Sequence, residues 1–385
     1  MAGWISDMFN KPLNTVFDQL ISQLQQPQWL LQKRKEALKI FQATGLPTRK
    51  SELWKYTDIS RLQRLEPLTD NYSNNERIQI NIDKGQATVT ILEESEEADW
   101  HDLSIDKERV FIALNTAMLN TGRLITIEKN QQVKMHIHYA QTDKNWSNIR
   151  THITVKENAQ LDLTESYDTD CRINHVAIIN AEKNATLILK SNKTQSHTAA
   201  LIHYLQINCG QAVTTKQLTI NNNSTLSHMI QDVNFDGEQC CYKGASVNLA
   251  QDSCHIAGNI QVNHLLKNCK SEVIYRSLAQ SKGQIALNAK AVVSVAADGS
   301  DISQSLKNIL LSDDAKIYSR PELEINTDDV IAAHGSTTGE LDELALTYLR
   351  SRGIPKAQAQ TMLIESFLQD ANIFNQENFL DTIKL

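Results

Sequence analysis

The sequence predicts a mainly β chain, either a β-solenoid or a stacked β-sandwich, with an α-helical region at each end. Three observations carry that expectation. The first is proline placement: Pro12, Pro27, Pro47 and Pro67 precede the interior and Pro321 and Pro355 follow it, so residues 68–320 contain none. Proline removes a ladder donor and is confined to sheet edges, so a long tract without it suits continuous strand pairing. The second is alternation. VKMHIHYA, THITVKE, AQLDLTES, ATLILKS and QIALNAKAVVSV switch between apolar and polar residues with the period of a half-buried strand. The third is a recurring short unit, seen as Asn158-Ala-Gln-Leu, Asn184-Ala-Thr-Leu and Asp314-Ala-Lys-Ile, with variants starting at Gly85 and Gly210. Asn, Asp and Gly tolerate left-handed backbone, so they suit corners where a strand turns onto the next face. Short strands with repeated corners and no interleaved helices point to stacked coils or stacked sheets.

The flanks follow a different period. Val16, Leu20, Ile21 and Leu24 form one helical stripe, and Trp29, Leu30, Ala37, Leu38 and Phe41 form a second that ends at Gly45, a C-cap signal. Near the C-terminus Leu341, Leu344, Ala345, Tyr348 and Leu349 recur at helical spacing. Thr337 and Glu340 have the spacing of a capping box, Gly353 marks the stop, and Pro355 opens a second helix carrying Ala359, Met362, Leu363, Ser366 and Phe367 on one side.

Composition narrows the function classes. The chain has 385 residues, long enough for two or three domains, and a net charge of −7, which gives no basic field for nucleic acid or anionic membrane. The first residues carry no basic start followed by an apolar run, and no window offers about 18 consecutive apolar residues. The expectation is a cytoplasmic protein with no membrane and no nucleic-acid partner. Its six cysteines, Cys171, Cys209, Cys240, Cys241, Cys254 and Cys269, form no CxxC pair and are expected as buried thiols. Cys254, His255, His264 and Cys269 would gather only if neighbouring coils stacked them. His136 and His138 share one strand face, a spacing that can chelate a metal but more often does not. Glu322 and Glu324 also share a face, as the carboxylates of a β-helix carbohydrate-active enzyme would; salt bridging or solvent exposure is the preferred expectation for them and for Asp328 and Asp329. No Walker A loop occurs, so the chain does not hydrolyse nucleotide by that route.

The C-terminal text is more specific. SRPELEINTDDV (319–330), AHGSTTGELDE (333–343) and YLRSRGI (348–354), preceded by QSLKNILLS (304–312), resemble the SufB/SufD family of iron–sulfur cluster assembly proteins. GLPTRKSELWKYTDI (45–59) is similar to the N-terminal region of the SufD members. The resemblance is strongest over 264–370, with a second anchor at 45–62. It implies a right-handed parallel β-helix core at 76–335, between an N-terminal helical region at 1–75 and a C-terminal helical ATPase-docking domain at 336–385. It further implies a non-catalytic subunit that works with a SufB-like paralogue and a SufC-like ABC ATPase, holding no cofactor firmly. Transient iron or a nascent Fe–S cluster would form at the paralogue interface, with reduced flavin a candidate in the complex. The SufD branch is favoured by the front block, the short chain and the lack of an N-terminal cysteine cluster. His334 is the implied interface residue and candidate metal ligand. Ala332 stands where the family carries a cysteine, so any ligation on this side rests on imidazole alone. Tyr348, Leu349 and Arg350 are the implied ATPase-docking surface. The rival expectations are a homodimeric scaffold working without its paralogue and the β-helix enzyme.

Overall fold

A computed structural model describes residues 13–24, 26–64, 78–100, 103, 105–140 and 146–383. Pro12, Pro67 and the expected boundary at residue 75 lie outside the described residues. From β3 (Thr121–Ile127) to β18 (Val330–Gly339) successive strands alternate between two sheets, and every neighbouring pair within a sheet is parallel. This is a parallel β-solenoid of about eight turns. Gln132 lies beside Gln160 and Thr214 beside Cys241, so one coil takes 27 or 28 residues at these points. Sheet one holds the even-numbered strands from β4 (Gln132–Tyr139) to β18, and sheet two the odd-numbered strands from β3 to β17 (Lys316–Ile325). At the front, β1 (Ile78–Lys84) and β2 (Thr88–Ile91) add antiparallel to β4 and β3.

The recurring unit does sit at the corners. Asn158 and Asn184 both adopt φ 58°, two residues before a strand of sheet one, and the amide of Asn184 donates to the Asn158 carbonyl oxygen at 2.9 Å. The alanines that follow, Ala159 and Ala185, are buried where a larger side chain would crowd the turn. In the Gly210 variant the left-handed position moves to Ala212, φ 58°.

Inside the solenoid Ile125, Ile153, Leu161, Leu187, Ile207, Val233 and Val262 belong to one continuous apolar core. Each outer sheet face is then covered by one end of the chain. Helices α1 (Leu13–Gln23), α2 (Gln28–Thr44) and α3 (Val110–Ala117) share a cluster with Val176, Ile202, Tyr204 and Ile230 of sheet two. This is why β7 (Arg172–Ala181) is buried almost throughout instead of alternating. Helix α3 contradicts the expectation of no interleaved helix. All eight of its residues are buried, so it has no polar face and no 3.6-residue stripe to reveal it. Arg34 of α2, itself buried, donates to the carbonyls of Ala117 and Leu119 at 3.1 and 2.8 Å, satisfying acceptors freed at the end of α3. Gly45 caps α2 at φ 70°, its N–H bonded to the Phe41 carbonyl.

Helices α4 (Glu343–Ser351) and α5 (Lys356–Gln369) form a hairpin through Gly353, φ 87°. The cap of α4 is Asp342, which accepts from the N–H groups of Leu344 and Ala345. The Thr337–Glu340 capping box does not form, because Thr337 is still in β18. Leu368 of α5, with Ala371, Phe379 and Ile383 beyond it, packs on Leu218, Val247, Ile274 and Leu278 on the outer face of sheet one.

Candidate functional site

The two ends of the solenoid differ. At the front the edges are blunted: β2 has four residues, and β1 breaks register between Ile82 and Lys84. At the back, β17 and β18 each run ten residues and each has a single neighbour, β15 (Gln284–Val293) or β16 (Ser300–Leu310). Strand β17 carries Pro321. Lys316 and Asn326 donate their N–H groups to residues 283 and 293, so even-numbered residues bond inward and an N–H at position 321 would face the open edge. Proline there removes one exposed donor. Strand β18, VIAAHGSTTG, has no Asp, Glu, Lys or Arg and no register break against β16. It is a long, regular, uncharged edge, the form that pairs with another chain.

His334 lies on this strand, in register with Gln304. In β16 the even-numbered positions Ser300, Ile302, Gln304, Leu306 and Asn308 are buried toward the lumen. The row continues in β18: Val330 and Ala332 pack on the core with Ile302, and the Ser336 hydroxyl donates to Ser319 Oγ of facing β17 at 3.0 Å. His334 therefore belongs to the lumen-facing row of the last coil. It is exposed because no further coil covers it. Among the described residues its ring makes no side-chain hydrogen bond, and its neighbour on the row, Ala332, offers only a methyl group. No three His, Cys, Asp or Glu side chains among the described residues could together hold a metal ion.

The C-terminal hairpin presents a second surface. Of the stripe Leu341, Leu344, Ala345, Tyr348 and Leu349, Leu344 is 84% exposed and Tyr348 58%, Leu341 and Ala345 are half-buried, and Leu346 beside it is the buried residue. Leu349 is half-buried and Arg350 exposed. The Arg352 guanidinium lies 5.2 Å from the centre of the Tyr348 ring.

Other residues singled out in the sequence have structural partners. His136 Nε2 and His138 Nδ1 share the Ser166 hydroxyl at 2.7 and 2.9 Å, and His138 Nε2 meets Asp168 at 2.9 Å. Glu322 pairs with Arg320 at 2.8 Å and Glu324 with Lys290 at 2.7 Å, which accounts for both without glycosidase chemistry. Cys254, His255, His264 and Cys269 do not gather: Cys254 meets His197, His255 meets Gln284, and His264 meets Ser271 and Ser300. Instead Cys240 and Cys269 are neighbours on adjacent coils, the Lys270 N–H bonding the Cys240 carbonyl. Burial pushes the nearby Cys209 thiol up to about 12, which keeps it protonated and inert.

Two groups escaped sequence reasoning. One lies inside the solenoid. Tyr139 donates to Glu165 at 2.8 Å, Lys193 donates to His203 Nδ1 at 2.9 Å, and the His175 and His203 rings stack at 4.6 Å. Burial raises the Glu165 carboxyl, and it lowers the Lys193 ammonium to about 8 and the His175 imidazole to about 3. Their signal was a polar residue on the apolar phase of an alternating strand: Lys193 follows Leu187 and Leu189 on the inward row. The second group is a pocket at the junction of the N-terminal segment with sheet two, lined by Arg49, Lys55, Arg61 and Lys316. Arg49, Lys55 and Arg61 share one short segment, but Lys316 lies more than 250 residues away, so only the fold brings it to them.

Comparison with known proteins places this architecture. The model described as "SUF system FeS cluster assembly, SufBD core domain" matches residues 138–367, and "SufBD protein N-terminal region" matches 10–90. The chain is 25% identical over 359 residues to the iron-sulfur cluster assembly protein SufD of Escherichia coli, covering 84% of each chain. It is 23% identical over 338 residues to an iron-sulfur cluster assembly SufBD family protein of Mycobacterium tuberculosis, again covering 84% of each. To the SufD of Bacillus subtilis it is 22% identical over 404 residues, covering 89% of this chain and 90% of the relative.

Proposed function

The chain belongs to the SufBD family of iron–sulfur cluster assembly proteins, and from that premise we propose that it is a SufD-like, non-catalytic scaffold subunit of a SUF complex. The observation that carries the reading is the open β18 edge with His334 on its lumen-facing row. A SufB-like partner would continue sheet one by pairing with this edge, and main-chain hydrogen bonds would supply much of the affinity. Iron or a nascent cluster is then cargo at the seam. His334 contributes one imidazole and the partner contributes the thiolates, since Ala332 cannot ligate. No reduced-flavin step is needed for that geometry.

The exposed Leu344 and Tyr348 on α4 support docking of a SufC-like ATPase. A solvent-facing apolar pair on a capped helix costs nothing once a partner covers it. Because α5 and the residues after it are packed on sheet one, a pull on the hairpin reaches the same sheet that ends in β18. ATP-driven movement of the docked subunits would thereby strain the seam beside His334.

The test is co-expression with the SufB-like and SufC-like proteins of the same organism. A stable three-component complex is expected. His334→Ala should leave its assembly intact and lower the yield of assembled cluster. Failure to bind either partner overturns the scaffold reading. A homodimer that builds clusters without a SufB-like protein favours the homodimeric alternative, and unchanged cluster yield in His334→Ala removes the ligand role.

A further inference from the structure

The pocket on the last strands of sheet two uses none of the residues assigned to the seam or to ATPase docking. It is a cavity of about 360 Å³ between the 49–61 segment and strands β15 and β17. Among the described residues its wall carries four cationic side chains, Arg49, Lys55, Arg61 and Lys316, and one carboxylate, Asp58. That excess of positive charge stands out in a chain of net charge −7. Among the described residues Arg49, Lys55 and Lys316 have no carboxylate within ion-pair distance. Several basic residues elsewhere on these sheets are paired: Lys290 with Glu324, Lys243 with Glu272, Arg320 with Glu322.

The cavity is also organised. Arg61 is 7% exposed, and its guanidinium is anchored by donation to the Ser253 carbonyl. Asp58 accepts at Oδ1 from the Ser60 hydroxyl at 2.6 Å and the Ser60 N–H at 3.2 Å, and its charge offsets part of that of Arg49 and Arg61. Gln284 accepts from His255 Nδ1 at 3.3 Å, which orients its amide and leaves the NH2 group as a donor at the wall. Burial, with Arg61 nearby, holds the His255 imidazole down at about 4, so it remains a neutral donor beneath the pocket. Tyr56 and Tyr318, one from each element, stack at 4.4 Å and 9°. On their far side lies a second cavity of about 350 Å³ with a mixed lining that includes Asn259, Asn288, Ser319, Leu287 and Ile317.

We propose that the Arg49–Lys55–Arg61–Lys316 pocket binds the phosphate group of a small phosphorylated molecule. A dianion or diphosphate matches several converging cations better than a single carboxylate does. The size of the cavity suits a small molecule and not a polynucleotide track. Because the walls come from two separate elements, the ligand ties the 49–61 segment to sheet two.

The probes are inorganic phosphate and pyrophosphate, titrated into the full chain by calorimetry and thermal shift, with sodium chloride at matched ionic strength as reference. Saturable one-to-one binding is expected, tighter for pyrophosphate, with a rise in melting temperature that chloride does not reproduce. Arg49→Glu and Lys316→Glu, both at exposed side chains, should each weaken binding by about tenfold or more. Lys243→Glu, on sheet one, should leave it unchanged. Binding that does not saturate, or that Lys243→Glu weakens as much as Arg49→Glu, overturns the proposal. So does a pocket that ignores phosphate and pyrophosphate while its charge reversals abolish capture of a protein partner, because the cations then serve an acidic protein surface.

Discussion

Acidification from pH 7 to pH 5 should destabilise this fold through histidines that are buried neutral. Burial holds the imidazoles of His175 and His228 down at about 3, and those of His255 and His264 at about 4. The geometry agrees: Asn259 donates to His228 Nε2 at 3.0 Å, the ring packs 3.9 Å from Trp54, and among the described residues no carboxylate bonds it. In the unfolded chain each histidine titrates near its ordinary value of about 6.5. Between those values the unfolded chain binds more protons than the folded one. The stability is therefore present above about pH 6.5 and is lost as pH falls toward 4 and 3. At pH 5 each unfolded histidine is almost fully protonated and each folded one almost fully neutral, a cost of about 2 kcal/mol per residue relative to pH 7. Four residues together lose about 8 kcal/mol, similar to the whole stability of an ordinary domain. Glu93 and Glu165 act in the opposite direction. Burial raises both carboxyls, so the folded state takes up their protons first on acidification and recovers part of the loss. Urea unfolding followed by tryptophan fluorescence at pH 7, 6 and 5, at constant ionic strength, measures the balance. The midpoint should fall steeply with an unchanged slope, and His255→Gln should make the fall shallower by about 2 kcal/mol. A midpoint that holds or rises between pH 7 and 5 would refute neutral burial.

Two further outcomes follow from particular contacts. A Cβ on Gly283 would stand 2.2 Å from the Ala250 carbonyl oxygen, so Gly283→Ala must shift two coils apart; a loss of about 2 kcal/mol or more is expected in chemical denaturation. Leu344→Asp combined with Tyr348→Asp should abolish retention of the SufC-like ATPase in pull-down and leave the melting temperature of the isolated chain within a degree or so, because both side chains already face water.

Proline placement and alternation were enough to find the β tract, because both follow from backbone hydrogen bonding, which every coil repeats. The corner unit was legible for the same reason: Asn158 and Asn184 occupy left-handed positions that few residues tolerate. What was not legible was anything set by packing partners. Helix α3 is buried on all sides, so the expectation of an uninterrupted β tract missed it. The α4 stripe had correct helical spacing, but that Leu344 and Tyr348 face water while Leu346 is buried was not legible, since periodicity marks an apolar face without saying what covers it. His334 was legible only through the resemblance; its lumen-facing position comes from register with Gln304, thirty residues away.

The placement of the helices limits where this solenoid can meet a partner of its own kind. The outer face of sheet two is occupied by α1, α2 and α3, and that of sheet one by α5 and the C-terminal segment. The front edges are shortened or broken in register. Strand β17 is charged and carries Pro321 toward its open side. Among the described residues only β18 remains an edge that is long, regular and free of formal charge, and an edge of that kind is a liability in isolation. Its persistence is understandable if the edge is normally covered, and a covering strand would bring its own side chains against the row that contains His334. The residue and the edge thus support each other: the open coil leaves the imidazole accessible, and a paired coil would enclose it.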